Sequence, residues 1–319
     1  MTWLEFSGHN ITRRMYAFYS ALLLASLLRV TVGAKWCYES QVSCDHKCKG
    51  PNEWADIAPT CGGTSQSPIN LVTKKITFKK SLTALEFYSY QETFHSVITN
   101  NGHTAKVNLS GAAQINGGEL ESNYKAMEIH FHWGKNGSPG SEHTIDGEQY
   151  PMEMHIVHIK EMYRSVEEAL TDPSGVAVLG FLFQETGSSN KKYESIINAL
   201  ANIAHPGNST TLQSLSLDLL IPSHSMLTSY FRYKGSLTTP GCTESVIWTV
   251  FEDAILLSKE QLSAFSALQF EDGAPMVGTF RPVQPLNGRE VFYSRCNVVF
   301  VNTMLVVSAV LTTFMTLKA

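Results

Sequence analysis

The chain has 319 residues, of which 43% are apolar and 16% charged, and its formal net charge is −4. This is a globular composition, long enough for one large core or two modest ones. A small net charge of the same sign as a phosphate backbone excludes nucleic acid as the expected partner.

The chain opens on Met1 to Arg14, a leader that leaves Met15 as an alternative start. Behind Arg13 and Arg14 comes a short apolar run, "MYAFYSALLLASLL", and then "TVGA" with small residues at Gly33 and Ala34. Basic, apolar and small-residue regions in that order predict a secretory signal peptide over residues 1–34, cut after Ala34.

From Lys35 to Arg289 no internal repeat and no linker rich in Pro, Gly and Ser divides the chain. The apolar segments are short and strand-like: "ALEFYSY", "HSVITNNG", "KVNLS", "EIHFHW", "MEMHIVHI", "VAVLGFLF" and "SVIWTVFE", separated by Gly, Pro and Asn turns. Two stretches read as helices, "KKYESIINALANI" and "SKEQLSAFSAL". The second opens on Ser258 with Gln261 three residues on, a capping-box pattern. These elements predict a mainly β (α+β) fold: a single domain over residues 35–293, built on a large, mostly antiparallel twisted central sheet with short peripheral helices.

Val298 to Leu317 is an uncharged run of about twenty residues, long enough to span a bilayer. On a secreted protein such a tail also reads as a glycolipid (GPI) anchor signal, with attachment near Ser294 or Asn297, although the usual polar spacer is nearly absent. Residues 294–319 are therefore expected to be a GPI-anchor signal or else a transmembrane segment. Either would hold the domain at the extracellular face of the plasma membrane. Secretion makes the six cysteines, Cys37, Cys44, Cys48, Cys61, Cys242 and Cys296, candidates for disulfides rather than metal thiolates, in pairings that spacing alone does not select. Sequons at Asn108, Asn136 and Asn208 agree with that route, while the one at Asn10 falls in the leader.

Within "EIHFHWG", His130 and His132 alternate with Ile129, Phe131 and Trp133. On a strand the two imidazoles share a face, with Cα atoms roughly 6.5 Å apart, so two nitrogens can meet one ion at about 2.0 Å while the apolar residues face the other way. "MEMHIVHI" offers a third donor, His155, with Glu153 and Val157 on its face and His158 on the opposite one. Were the two strands neighbours, three neutral imidazoles would form one side of a tetrahedron, as at a catalytic zinc.

A series of motifs in order, "QSPIN" at Gln66, "NNGH" ending at His103, "HFHWG" at His130, "GSEHT" at Gly140, "EMHIVH" at Glu153, "GSLTTPGC" at Gly235 and "RPVQPL" at Arg281, covers nearly all of Trp36 to Arg289. It resembles the α-carbonic anhydrases, and with "WCYE" and the apolar tail it is most similar to their membrane-anchored type IV members. The resemblance implies zinc on His130, His132 and His155, and reversible hydration of carbon dioxide to bicarbonate and a proton. It implies that Thr238 is a gatekeeper whose hydroxyl donates to the Glu142 carboxylate, that Thr239 helps to hold bicarbonate, and that Val157, Val178, Leu237, Val246 and Trp248 form the apolar pocket. His103 matches the proton shuttle, and Asn101 a polar residue that orders the connecting water. The membrane, through the anchor, and bicarbonate transporters are the partners such a protein would have.

The resemblance further implies disulfides Cys37–Cys48 and Cys61–Cys242, leaving Cys44 and Cys296. Glu153 matches the carboxylate partner of His155. At Glu128 the family has a glutamine that accepts a proton from His130; a carboxylate there would make the imidazole a stronger donor, unless it is swung aside or protonated. The family's early tyrosine has no clear counterpart, Asp45 falling nearby. The alternative function is a catalytically silent carbonic-anhydrase-like binding module, which loss of a zinc histidine would signal; all three are present.

Overall fold

The structure, a computed structural model, describes residues 35–43 and 48–295. The expected leader, Cys44, Asp45, Cys296 and the apolar tail lie outside the described residues. The sheet and the helices packed on it belong to the unit that begins at Trp36.

Twelve strands among the described residues form one sheet: β1 (Thr77–Phe78), β2 (Leu85–Tyr88), β3 (Phe94–Asn100), β4 (Ala105–Asn108), β5 (Gln114–Gly117), β6 (Tyr124–Trp133), β7 (Met152–Lys160), β8 (Val176–Thr186), β9 (Ser209–Leu215), β10 (Ser229–Gly235), β11 (Val246–Ser258) and β12 (Phe292–Arg295). Their order is β9-β3-β4-β6-β7-β8-β11-β10-β12-β1, with β5 pairing both β2 and β6. The pairs are antiparallel except β8 with β11 and β12 with β1. The mainly β, mostly antiparallel expectation is met, and each segment quoted as strand-like contributes a strand.

At the centre, every residue of β7 is buried. A strand covered on both faces reads as a continuous apolar run, and β7 departs from that at Glu153, His155, His158 and Lys160. Alternation sorts its side chains. Met152, Met154 and Ile156 join Ile129, Phe131 and Trp133 in the larger apolar cluster, while Val157 and Ile159 join Val178, Val246 and Trp248 in a smaller one. Phe131 and Trp133 each pack 5.3 Å from Phe265, centroid to centroid, and the indole Nε1 of Trp133 donates to the Met276 carbonyl at 2.7 Å. Burying each such ring stabilises the fold by roughly 1.5–3 kcal/mol. The side of β6 that carries Phe131 and Trp133 is thereby fixed, and His130 and His132 must take the other.

The helices are short and peripheral, among them α1 (Val166–Ala169), α2 (Glu194–Leu200) and α3 (Lys259–Ala264). At α3, Ser258 accepts from Gln261 N at 3.3 Å and Gln261 Oε1 accepts from Ser258 N at 3.2 Å, closing the expected capping box. No helix among the described residues is long and apolar enough to cross a membrane.

Candidate metal centre

β6 and β7 pair antiparallel with His155 opposite His130 and Glu153 opposite His132. This register makes neighbours of two strands that the sequence could only place on separate segments. His132 Nε2 lies 3.1 Å from His155 Nδ1, which lies 3.2 Å from His130 Nε2. The outer nitrogens are all engaged: His130 Nδ1 with Glu128 Oε1 at 3.0 Å, His132 Nδ1 with the Thr279 carbonyl at 2.6 Å, and His155 Nε2 with Glu153 Oε1 at 2.8 Å.

Carbonyl and carboxylate oxygens only accept, so each outer nitrogen carries its ring's proton and each inner nitrogen presents a lone pair. Burial pushes the His132 pKa well below its usual value and takes that of His155 to about 4, which keeps both rings neutral. Three lone pairs facing one another repel unless a cation sits among them. Bonds of about 2.0–2.1 Å in a tetrahedron set nitrogens about 3.4 Å apart, close to the spacings found, so this donor set fits zinc. A second cluster, His143, Glu153 and His155, is different in kind. There the ring nitrogens point at a carboxylate oxygen and protons fill the gaps.

Glu153 is held from four directions. Its Oε1 takes His155 Nε2 and, at 2.7 Å, His143 Nδ1; its Oε2 accepts from the backbone N–H groups of Glu142 and His143 at 2.9 and 2.8 Å. Burial pushes this carboxyl up, but the two histidines and their hydrogen bonds outweigh it and hold the pKa well below the carboxylate range. The Tyr233 hydroxyl lies 2.7 Å from His143 Nε2 and 2.9 Å from Ser67 Oγ, extending the chain of polar contacts. Gly180, opposite His155 on β8, makes room for all this: a Cβ there would stand 3.0 Å from Glu153 Oε1. His143, Tyr233 and Gly180 were missed in the sequence, where only the "GSEHT" motif hinted at the first.

Arg281 ties the next layer together. Its backbone N–H donates to Glu142 Oε1 at 2.9 Å, and its buried guanidinium reaches Gln66 Oε1 and the Ser67 carbonyl, at 2.8 and 2.9 Å, and the Cys61 carbonyl at 3.1 Å. The "QSPIN" and "RPVQPL" motifs are thus two halves of one contact. Glu142 Oε2 has no partner in hydrogen-bond geometry and lies 3.5 Å from His132 Nε2. Burial raises the Glu142 pKa well above its usual value against the opposing pull of the Arg281 N–H and the nearby Thr238 hydroxyl.

Thr238 and Thr239 sit on the turn after β10. Leu237 N donates to the Thr243 carbonyl at 3.1 Å and Cys242 N to the Thr239 carbonyl at 2.9 Å, closing the turn. The Cys61–Cys242 disulfide fastens it to the region before β1, and a Cys37–Cys48 disulfide closes the short loop near Trp36. Both implied pairings are present.

A cavity of about 140 Å³ opens against the histidines, lined by Glu128, His130, His155, Val157, Val166, Val178, Leu237, Thr238, Thr239 and Trp248. Val246 is not on that wall. It is buried in the same apolar cluster as Trp248, and Val166 of α1 lines the cavity instead, a residue whose run carried no motif. Asn101 builds the turn: its Oδ1 accepts from the backbone N–H groups of His103 and Thr104, both at 2.9 Å. His103, half-buried, stacks on Trp36 with centroids 3.8 Å apart and rings 14° from parallel.

A tyrosine near the site that the sequence reading passed over is Tyr38. Buried, 6.4 Å from the His103 ring, it has a pKa raised well above the usual value by burial and then by the charge of Glu142. The signal was in "WCYE" itself. Glu128 is neither swung aside nor protonated: one oxygen faces His130, the other pairs with Lys106 Nζ. Burial pushes its pKa up, but His130 and Lys106 outweigh that and take it to about 2.

Residues 49–295 match the family model described as eukaryotic-type carbonic anhydrase. Similar known proteins include carbonic anhydrase 4 of Oryctolagus cuniculus, 40% identical over 280 residues that cover 86% of this chain and 90% of the relative. Carbonic anhydrase 15 of Mus musculus is 38% identical over 286 residues, 85% and 87% of the two chains. Carbonic anhydrase 12 of Homo sapiens is 37% identical over 272 residues, 82% and 73%.

Proposed function

The chain belongs to the eukaryotic-type carbonic anhydrases, enzymes of reversible carbon dioxide hydration, and from that footing we propose that it carries out this reaction with zinc on His130, His132 and His155 at the extracellular membrane surface. The observation that carries the reading is the convergence of three ring lone pairs, each fixed by a proton donated outward to Glu128, Thr279 or Glu153. Zinc bound there supplies Lewis acidity, lowering the pKa of its water to about 7, a figure long known for this very family.

The chain's own residues supply the rest. Glu153 orients His155 and makes it a better donor, and Glu128 orients His130. Thr238 offers its hydroxyl proton to Glu142. Burial alone favours the neutral acid at Glu142, but beside a bound dication the carboxylate is favoured, and Thr238 Oγ1 is then left as an acceptor aimed at the reacting water. Val157, Val178, Leu237 and Trp248 confine a substrate with no net dipole against an apolar wall, and Thr239 stands where a product oxygen can be held. His103 takes the released proton outward, as an imidazole side chain can in general acid–base transfer.

Two disulfides support an oxidising compartment. The three sequon asparagines, Asn108, Asn136 and Asn208, are all exposed, as glycosylation requires. With the terminal segments these support a glycoprotein of the secretory pathway, carried at the cell surface by a GPI anchor, where bicarbonate transporters would be functional partners.

Stopped-flow carbon dioxide hydration, before and after zinc is stripped by a chelator and restored, tests the reading. Activity should vanish with the metal and return with it, at one zinc per chain. A purified chain that holds no zinc, or is inactive when loaded, overturns it.

A further inference from the structure

Glu128 is the position at which this chain departs from its family's glutamine, and the structure shows what accompanies the change. β4 pairs antiparallel with β6, placing Lys106 opposite His130 and Asn108 opposite Glu128. Cross-strand partners share a face of the sheet, so the lysine emerges on the side that carries both Glu128 and His130. Its Nζ forms an ion pair with Glu128 Oε2, while Glu128 Oε1 takes the His130 Nδ1 proton at 3.0 Å. The carboxylate is divided, one oxygen for each partner. Side-chain exposures of 31% for Lys106 and 20% for Glu128 leave the pair partly sheltered, with Glu128 on the cavity wall. Glu167, on α1, lies near enough to feel both charges.

A neutral amide at this position accepts the imidazole proton without competing for it. A lone carboxylate is more mobile and more basic, free to turn towards water and leave His130 unoriented. An ammonium on the far oxygen removes both differences: it cancels the negative charge and fixes the rotamer.

We propose that Lys106 is a positioning residue of the metal centre, acting through Glu128, so that the Lys106–Glu128 pair does for His130 what a neutral amide does elsewhere in the family. This rests on the reading of His130 as a zinc ligand. Outer partners of metal-bound histidines are worth about 10- to 100-fold in metal affinity, and a residue one step further out belongs at or below the lower end of that range.

The test is zinc affinity by chelator competition on the full chain, with the His130 Nδ1–H resonance followed by NMR in the zinc-loaded protein. Lys106→Met should weaken zinc binding by roughly three- to tenfold and speed exchange of the His130 proton. Lys106→Arg, which keeps the charge, should bind as wild type. The decisive comparison is in the Glu128→Gln background, where adding Lys106→Met should change nothing. An equal loss in both backgrounds would mean that the lysine stem acts by packing alone and would overturn the proposal, as would unchanged or tighter binding in Lys106→Met. If wild type binds no zinc, or His130→Ala binds it equally well, the reading of the site itself fails and the proposal with it.

Discussion

The backbone N–H of Arg281 holds Oε1 of Glu142 at 2.9 Å, and that bond leaves Oε2, the other carboxylate oxygen, 3.5 Å from His132 Nε2. The carboxylate is thus fixed by main chain, with one oxygen to spare for Thr238. Thr238→Val keeps the shape and removes the hydroxyl. Its kcat/KM should fall about 100-fold, as for loss of one positioned donor in a reacting centre, with zinc content unchanged. Parallel stopped-flow and metal analysis would show this, and a variant with full activity would remove Thr238 from the mechanism.

The turn that carries Thr238 depends on an awkward piece of backbone. Gly241 has φ +107° and Cys242 φ +38°, and the second lies in a region that costs a residue with a side chain about 1–2 kcal/mol. The disulfide to Cys61, the Thr60 hydroxyl bond to the Gly241 carbonyl at 2.5 Å and the Gln66 amide bond to the Cys242 carbonyl at 3.1 Å hold it there. Replacing both cysteines by serine should destabilise the protein by about 2–4 kcal/mol, read from denaturant midpoints. It should also lower turnover by more than it lowers zinc affinity, because Thr238 moves and the histidines do not.

Local pattern made the strands and the histidine pair legible. His130 and His132 could be placed on one face because Phe131 and Trp133 demanded the other. What pattern could not carry was register. The pairing of His155 with His130 is set by the whole antiparallel alignment of β6 and β7, which no spacing within either segment records. Lys106 shows the same limit: twenty-four positions from His130 in the chain, it is that residue's cross-strand partner. Val166 and Tyr38 were missed for another reason, since an apolar or aromatic residue near a cavity looks in sequence like any other core residue. Strands β9 and β10 escaped notice because their polar residues blur the alternation.

His158 should shape the acid limb of stability. Facing away from the metal site, it donates from Nδ1 to the Ile156 carbonyl at 3.0 Å, while Nε2 meets the Tyr90 hydroxyl at 2.7 Å. Burial takes its pKa to about 3, against about 6.5 in an unfolded chain. The folded state thus refuses a proton that the unfolded state accepts. This contribution is complete above about pH 6.5 and is lost as pH falls towards 3, at up to about 1.4 kcal/mol per unit. Urea midpoints from pH 7 to 4.5 should fall less steeply in His158→Gln than in wild type. Equal slopes would show that His158 is protonated in the fold.

The proposed route for the proton released at the site runs through His103. Two features make His103→Ala a clean test. The turn is built by Asn101, whose Oδ1 holds the N–H groups of His103 and Thr104 at 2.9 Å, so the backbone should survive loss of the imidazole. One neighbour of the ring is the face of Trp36, 3.8 Å away between centroids, a contact that does not involve the zinc ligands. In weak buffer His103→Ala should turn over roughly tenfold or more slowly, because general acid–base transfer by a positioned side chain is worth at least that much. Concentrated imidazole should restore the rate, since a diffusible base of the same chemistry can replace the missing ring once hydration itself is intact. The initial hydration step, followed by carbon-13 exchange at equilibrium, should be unaffected. Equal rates for wild type and variant in weak buffer would show that the proton leaves by another route, and slowed exchange at equilibrium would place His103 in the hydration step instead.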